Sequence, residues 1–315
     1  HQMGRSPCGF VGLRNMGSTC YMNSLLQQLY HVPDFKRGVL SAEVPQEGEE
    51  RVLMRELQSL FGFVQESLKQ SYDTANFCRA HDTAGEPLKV TLQMDVDEYF
   101  NILFDKLERG LAGTGRDELL KECFGGKIVN EIVCKEVVRV GDRQYGGDSD
   151  SFKSQREEGF FTIPLEVKHK KSILESLDLF VEGETLDGDN KYFCEEANQK
   201  VAALKRLCIS QLPKILILHL KRFEFDFDAM KKIKVNDHCE FPLTLDMEPY
   251  TLSGIEKREA AAAAASNKGQ DPAKAAAQVR SGESDMYELV GVLVHAGTSD
   301  VGHYYSYIAD RGAGG

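Results

Sequence analysis

The sequence predicts an α+β chain, with helices gathered in its first third and strands in the remainder. Three observations predict this. Apolar residues recur at helical spacing in three stretches before residue 110. From about residue 124 the pattern changes to short runs rich in Val, Ile and Phe, set apart by polar turns. The chain has 315 residues, 42% hydrophobic and 28% charged, which suits one large domain or a few subdomains around a sizeable core.

Taken in order, residues 20–30 place Met22, Leu25, Leu26 and Leu29 on one helical face. Gly17, Ser18 and Thr19 before them supply turn and cap residues, so Cys20 falls at a helix N-terminus. Residues 52–69 repeat the pattern with Leu53, Leu57, Leu60, Val64 and Leu68, and residues 94–109 with Val96, Phe100, Leu103, Phe104 and Leu107. Strands are predicted at 127–140 and 160–167, with the polar segment GDRQYGGDSDSFKSQREE between them. Further strands are expected at 191–194, 205–209, 215–225, 287–295 and 303–309; ILILHL at 215–220 reads as a buried one. Residues 256–285 hold six consecutive alanines (260–265) and no aromatic residue. Alanine favours helix, but the stretch has no apolar face to bury, so it is expected to be a mobile insertion loop.

Composition excludes several function classes. No apolar stretch approaches the roughly 18 residues of a membrane span. The opening HQMGRSPCGF lacks the apolar region of a signal peptide and does not start with Met, which points to a piece of a longer protein. A net charge of −11 argues against a general nucleic-acid binder and suits a partner with basic features. Eight cysteines are scattered without a C-x-x-C pair. That is not a disulfide scaffold, so a reducing cytosolic or nuclear setting is expected.

Cys20 has two readings. Cysteine is among the most buried residue types, so a core thiol is the ordinary one. Against it, a helix N-terminus favours the thiolate, Gly17 permits a tight turn, and Asn15 is a neutral donor able to stabilise an oxyanion. A thiol nucleophile needs a base. His303, after Gly302 and at the start of a strand-like run, is a good candidate; a strand-edge histidine without chemistry is the bland reading. His295 competes with it, and His219 sits in an apolar run more typical of a core histidine. Asp95, Asp97 and Glu98 open a helix, where carboxylates complement the dipole; the alternative is pairing with substrate cations.

GLRNMGSTCYMNSLLQQL and LVGVLVHAGTSDVGHYYSYI resemble the cysteine and histidine boxes of the ubiquitin-specific proteases. LQMDVDEYFNILFDKLE resembles that family's acidic helix, and LPKILILHLKRFEFD its LxRF-type strand. The four occur in the family's order over residues 10–309 and look closest to the large, fat-facets-type members. The resemblance implies a papain-like cysteine protease fold within a single catalytic domain, 9–315. It implies a thumb (about 9–120), fingers (about 121–212) and a palm (about 160–180 and 213–315). It makes Cys20 the nucleophile, His303 the general base and acid, and Asn15 the oxyanion donor. Gln93, Asp95, Glu98 and Tyr304 fall where substrate contacts lie, and Asp97 where the family often has Gln. The implied reaction is hydrolysis of the bond after the C-terminal glycine of ubiquitin, through a thioester, by a monomeric domain within a larger protein. Ubiquitin and ubiquitinated proteins are the expected partners.

Two departures stand out. Many members carry two C-x-x-C zinc pairs, where this chain reads CKEV (134–137) and CEEA (194–197). Cys134 and Cys194 remain as two thiols, too few for a closed tetrahedral site even with His169 as a recruit. Neither a metal nor a cofactor is therefore expected. The family's third catalytic residue, an Asp or Asn on a later strand, has no counterpart beyond His303 except Asp310, and ADRGAGG reads as a turn towards a strand that does not follow. The rival to the enzyme is thus a ubiquitin-binding scaffold with weak or no turnover. A thiol protease of another family is disfavoured by the segment from Gly12 to Leu29.

Overall fold

The computed structural model describes residues 4, 6–48, 50–81, 88–134, 136–140, 143–145, 153–195, 198–279, 285–299 and 301–310, with backbone alone at 138–140, 143–145 and 153. Much of the polar segment at 141–158, parts of CKEV and CEEA, residues 280–284 and the end of ADRGAGG lie outside the described residues. The chain divides into two compact units.

The first unit draws on His1–Cys123, Phe225–Lys234 and Leu289–Gly315. Its core lies among three amphipathic helices. Cys20–Tyr30 buries Met22, Leu25, Leu26 and Leu29 as its spacing predicts, together with Tyr21. Arg51–Glu66 buries Leu53, Leu57, Leu60 and Val64, and Val96–Leu111 buries Phe100, Leu103, Phe104 and Leu107. Leu68 leaves the pattern: the helix stops at Glu66, and Leu68 is exposed. Each large apolar side chain so buried contributes roughly 1.5–3 kcal/mol. The short helices Pro33–Ser41 and Ala75–Ala80 carry too few apolar residues to show a period. Strands Gly291–Gly297 and Gly302–Ile308 form an antiparallel pair, with Ala296 opposite His303 and His295 opposite Tyr304. The second strand packs on the Cys20–Tyr30 helix.

The second unit comprises Phe124–Glu224 and Val235–Glu288. Its antiparallel sheet runs Lys153–Phe160, Gly126–Cys134, Ala203–Gln211, Glu184–Leu186. A parallel pair, Ile163–Glu166 with Leu218–Lys221, lies beside the helix Ile173–Val181 over a core that includes Ile163, Leu165, Leu177, Ile209 and Met247. The run at 215–220 is less regular than expected: only Leu218–Lys221 forms the strand there, and it is half-buried.

The stretch 256–285 corrects an expectation. Instead of a loop, helices span Leu252–Asn267 and Pro272–Ala277. The first is capped by Thr251, whose hydroxyl accepts from the Gly254 N–H (3.0 Å). Its anchor is ionic rather than apolar. Glu259 forks onto the buried Arg206, which also holds the fully buried Glu131, and Ala265 packs inside. Alanine's propensity carries the helix onward from that anchored first half. The carboxylate of Asp271 caps the second helix through the N–H groups of Ala273 and Lys274.

Candidate active site

The site lies wholly within the first unit and begins with the turn before Cys20. Gly17 has φ +140°, and a Cβ there would come within 2.7 Å of the Val90 carbonyl oxygen. That same oxygen accepts the Ser18 N–H at 2.6 Å, so glycine is required where the loop meets its neighbour. The Asn15 side-chain oxygen accepts three hydrogen bonds, from the Gly17 N–H (3.2 Å), the Thr19 N–H (3.0 Å) and the Thr19 hydroxyl (3.1 Å). With Oδ1 so fixed, the Nδ2 amide is the end left to donate, and Asn15 is exposed. The Asn23 amide secures the loop from inside by donating to the carbonyls of Leu13 and Arg14.

Thr19 is the helix N-cap by position, yet its side chain makes no capping bond. It is completely buried and serves the loop, donating to Asn15 and accepting from the Met16 N–H. The first intrahelical bond is Asn23 N–H to the Thr19 carbonyl, so the amides of Cys20, Tyr21 and Met22 precede the helical ladder. Cys20, 6% exposed, thus stands at the positive end of an eleven-residue helix.

The histidine strand meets the thiol directly. The Tyr304 N–H, on the peptide that joins it to His303, donates to Cys20 Sγ at 3.4 Å. His303 itself is exposed, its ring near-parallel to that of Tyr305. Gly302 donates its N–H to the Gln93 side-chain oxygen (3.3 Å), and a Cβ at Gly302 would fall 2.1 Å from His295 Nε2. The residue before His303 is therefore glycine because the His295 ring fills that space. Burial, with Lys234 next in effect, lowers the pKa of His295, against an upward pull from Asp95.

Tyr304 is buried rather than presented. Its ring lies 4.6 Å from that of His295, its hydroxyl accepts from the Val96 N–H (3.4 Å), and burial raises its pKa strongly. Expected as a substrate contact, its side chain is placed to tie the histidine strand to the acidic helix. Asp95 caps that helix through the Asp97 N–H (2.9 Å) and faces Lys232 at 3.7 Å with its other oxygen. Asp97 and Glu98 follow in the first turn, Glu98 exposed. The structure so brings Cys20, Asn15, Gln93, Asp95, His303 and Tyr304 onto contiguous elements. The buried Thr19 and the Tyr304 backbone amide belong to this arrangement without having been assigned to it from the sequence; only the presence of Thr beside the cysteine hinted at the first.

Cys134 and Cys194 lie elsewhere, in the second unit. Both are buried in a small cluster with Val201 and half-buried Tyr192. Cys134 donates to the Glu136 carbonyl (3.2 Å), and burial raises its pKa. His169 is exposed on a turn, 3.8 Å from an Asp237 carboxylate oxygen. No group of three or more metal-ligating side chains occurs among the described residues, and no helix among them is long and apolar enough to cross a membrane.

A family model described as ubiquitin carboxyl-terminal hydrolase matches residues 11–314. Among similar proteins, ubiquitin carboxyl-terminal hydrolase 24 of Homo sapiens is 38% identical over 314 residues, covering 98% of this chain and 11% of that protein. Ubiquitin carboxyl-terminal hydrolase 34 of Homo sapiens is 37% identical, with 98% and 8% covered. The probable ubiquitin carboxyl-terminal hydrolase FAF of Drosophila melanogaster is 31% identical, with 96% and 12% covered. The chain therefore spans only a small part of these relatives' length. A solved structure of the SAGA Ubp8/Sgf11/Sus1/Sgf73 DUB module bound to ubiquitin aldehyde matches with a TM-score of 0.71 at 24% identity, over 96% of this chain and 63% of that one, a likeness of fold. By the extent of the family match and by these relatives, the chain belongs to the ubiquitin carboxyl-terminal hydrolase family.

Proposed function

We propose that this chain is a thiol hydrolase that cleaves the (iso)peptide bond after the C-terminal glycine of ubiquitin. The observation that carries the reading is the meeting of Cys20 Sγ, at a helix N-terminus, with the peptide between His303 and Tyr304. In the proposed reaction, His303 takes the thiol proton and Cys20 attacks the glycine carbonyl. The oxyanion is met by Asn15 Nδ2 and by the unpaired amides at the start of the helix. His303 returns the proton to the departing lysine amine, and water, activated by the same imidazole, hydrolyses the thioester.

Gln93 steadies the loop that leads to His303, and Asp95 with Glu98 offers carboxylates to the cationic tail of ubiquitin. Tyr304 acts through position rather than contact. The eight cysteines are scattered without a C-x-x-C pair, which fits a reducing compartment, cytosol or nucleus. Ubiquitin-conjugated proteins are the proposed substrates. The test is ubiquitin bearing a C-terminal propargyl group. The chain is expected to gain one ubiquitin, attached at Cys20, and Cys20→Ala to gain none. Ubiquitin binding without attachment would replace the hydrolase with a binding scaffold.

A further inference from the structure

Asp95, proposed above to receive a substrate cation, already faces one from its own chain. Lys232 Nζ lies 3.7 Å from Asp95 Oδ2, and the two side chains are 46% and 15% exposed. The carboxylate cannot simply turn away, because its other oxygen caps the acidic helix through the Asp97 N–H. The lysine's main chain is held as firmly. Its carbonyl accepts from the Ser299 hydroxyl (2.9 Å), and two residues on, Lys234 Nζ donates to the carbonyls of His295 (2.9 Å) and Gly297 (3.1 Å). Strand Lys231–Lys234 is thereby tied to the turn that precedes His303. The lysine side chain itself is half-exposed and carried on a flexible four-carbon stem.

We propose that Lys232 is an internal competitor for Asp95, displaced when the cationic tail of ubiquitin enters; this rests on the reading of Asp95 as the tail's partner. A partly exposed ion pair at this distance is weak and is exchanged readily. A guanidinium presenting two donors to one carboxylate makes the better partner. The chain therefore binds ubiquitin less tightly than the site without its lysine would, by the fraction of molecules in which the lysine holds Asp95. The contact offsets part of the carboxylate's charge in the free chain and yields to a cationic tail.

The test uses the full chain carrying Cys20→Ala, titrated with mono-ubiquitin. Lys232→Met keeps the aliphatic stem and removes the charge. It is expected to lower Kd about three-fold. Asp95→Asn retains a capping oxygen but no charge, and Lys232→Met added to it is expected to change nothing. Unchanged or weaker binding by Lys232→Met, while the unsubstituted Lys232 chain binds ubiquitin, overturns the competitor and leaves the proposed function standing. An equal gain in the Asp95→Asn background also overturns it, since the lysine would then act through general charge. Absence of ubiquitin binding in every variant overturns this inference together with the reading of Asp95 beneath it.

Discussion

Asn15 divides its amide between two tasks. Its oxygen accepts three loop hydrogen bonds, and its nitrogen is left to donate. The two tasks can be separated by substitution. Asn15→Asp preserves an acceptor for the Gly17 and Thr19 groups but cannot donate to an oxyanion and adds like charge beside it. Its thermal midpoint is expected to match that of the unsubstituted chain, with hydrolysis of a fluorogenic ubiquitin C-terminal amide about 100- to 1,000-fold slower. Asn15→Ala should lose both stability and rate. An Asp variant of full activity would remove Asn15 from the chemistry. At this scale the sequence was legible where the candidate site rests on side-chain type: a cysteine, an asparagine, and a histidine after glycine, which the structure places on adjoining elements. It was silent where the candidate site rests on the backbone. The Tyr304 N–H on Cys20 Sγ belongs to no residue type, and the buried Thr19 looks in sequence like any cap.

Among the elements, legibility followed the size of the apolar face. Helices Cys20–Tyr30, Arg51–Glu66 and Val96–Leu111 each bury a full stripe and were readable within a few residues. Leu252–Asn267 buries almost nothing apolar and was misread, because its hold on the second unit is ionic: Arg258 on the fully buried Glu248, and the Glu131–Arg206–Glu259 triad. Nothing in local sequence links residues so far apart. The triad's two carboxylates have unequal surroundings. Glu131 is fully buried and also accepts from the Gln155 amide, whereas half of the Glu259 side chain meets solvent. Glu259→Ala leaves Arg206 paired and should cost about 1 kcal/mol or less. Glu131→Ala leaves a guanidinium buried beside a single, half-exposed partner, and should cost roughly 3–5 kcal/mol. Urea midpoints of the two variants check the order; a larger loss from Glu259→Ala would mean that the helix, not the inner pair, holds that sheet face together.

For the molecule as a whole, acid stability is written into the core of the first unit. His81 is completely buried, its ring 5.2 Å from that of Tyr99 and 5.9 Å from that of Phe77. Burial, with the nearby Lys106 ammonium next, lowers its pKa from 6.5 to about 4. Lys106 is itself buried and paired with Glu50 at 2.8 Å. The sign follows from proton binding. Above pH 6.5 neither folded nor unfolded chain protonates this histidine, and stability is indifferent to it. Between 6.5 and about 4 the unfolded chain takes up a proton that the folded core refuses, so stability declines as pH falls. Across that window the loss approaches roughly 3 kcal/mol, at 1.36 kcal/mol per unit of pKa difference. Carboxylates elsewhere add their own acid dependence, so the informative quantity is a difference. His81→Phe keeps an aromatic ring among Phe77 and Tyr99 and removes the titration. The chain has no tryptophan, so circular dichroism is the suitable probe of urea unfolding. His81→Phe is expected to narrow the gap between stability at pH 7 and at pH 4.5 relative to the unsubstituted chain. Equal gaps would mean that the folded core admits the proton, by opening around His81 or by moving Lys106 away.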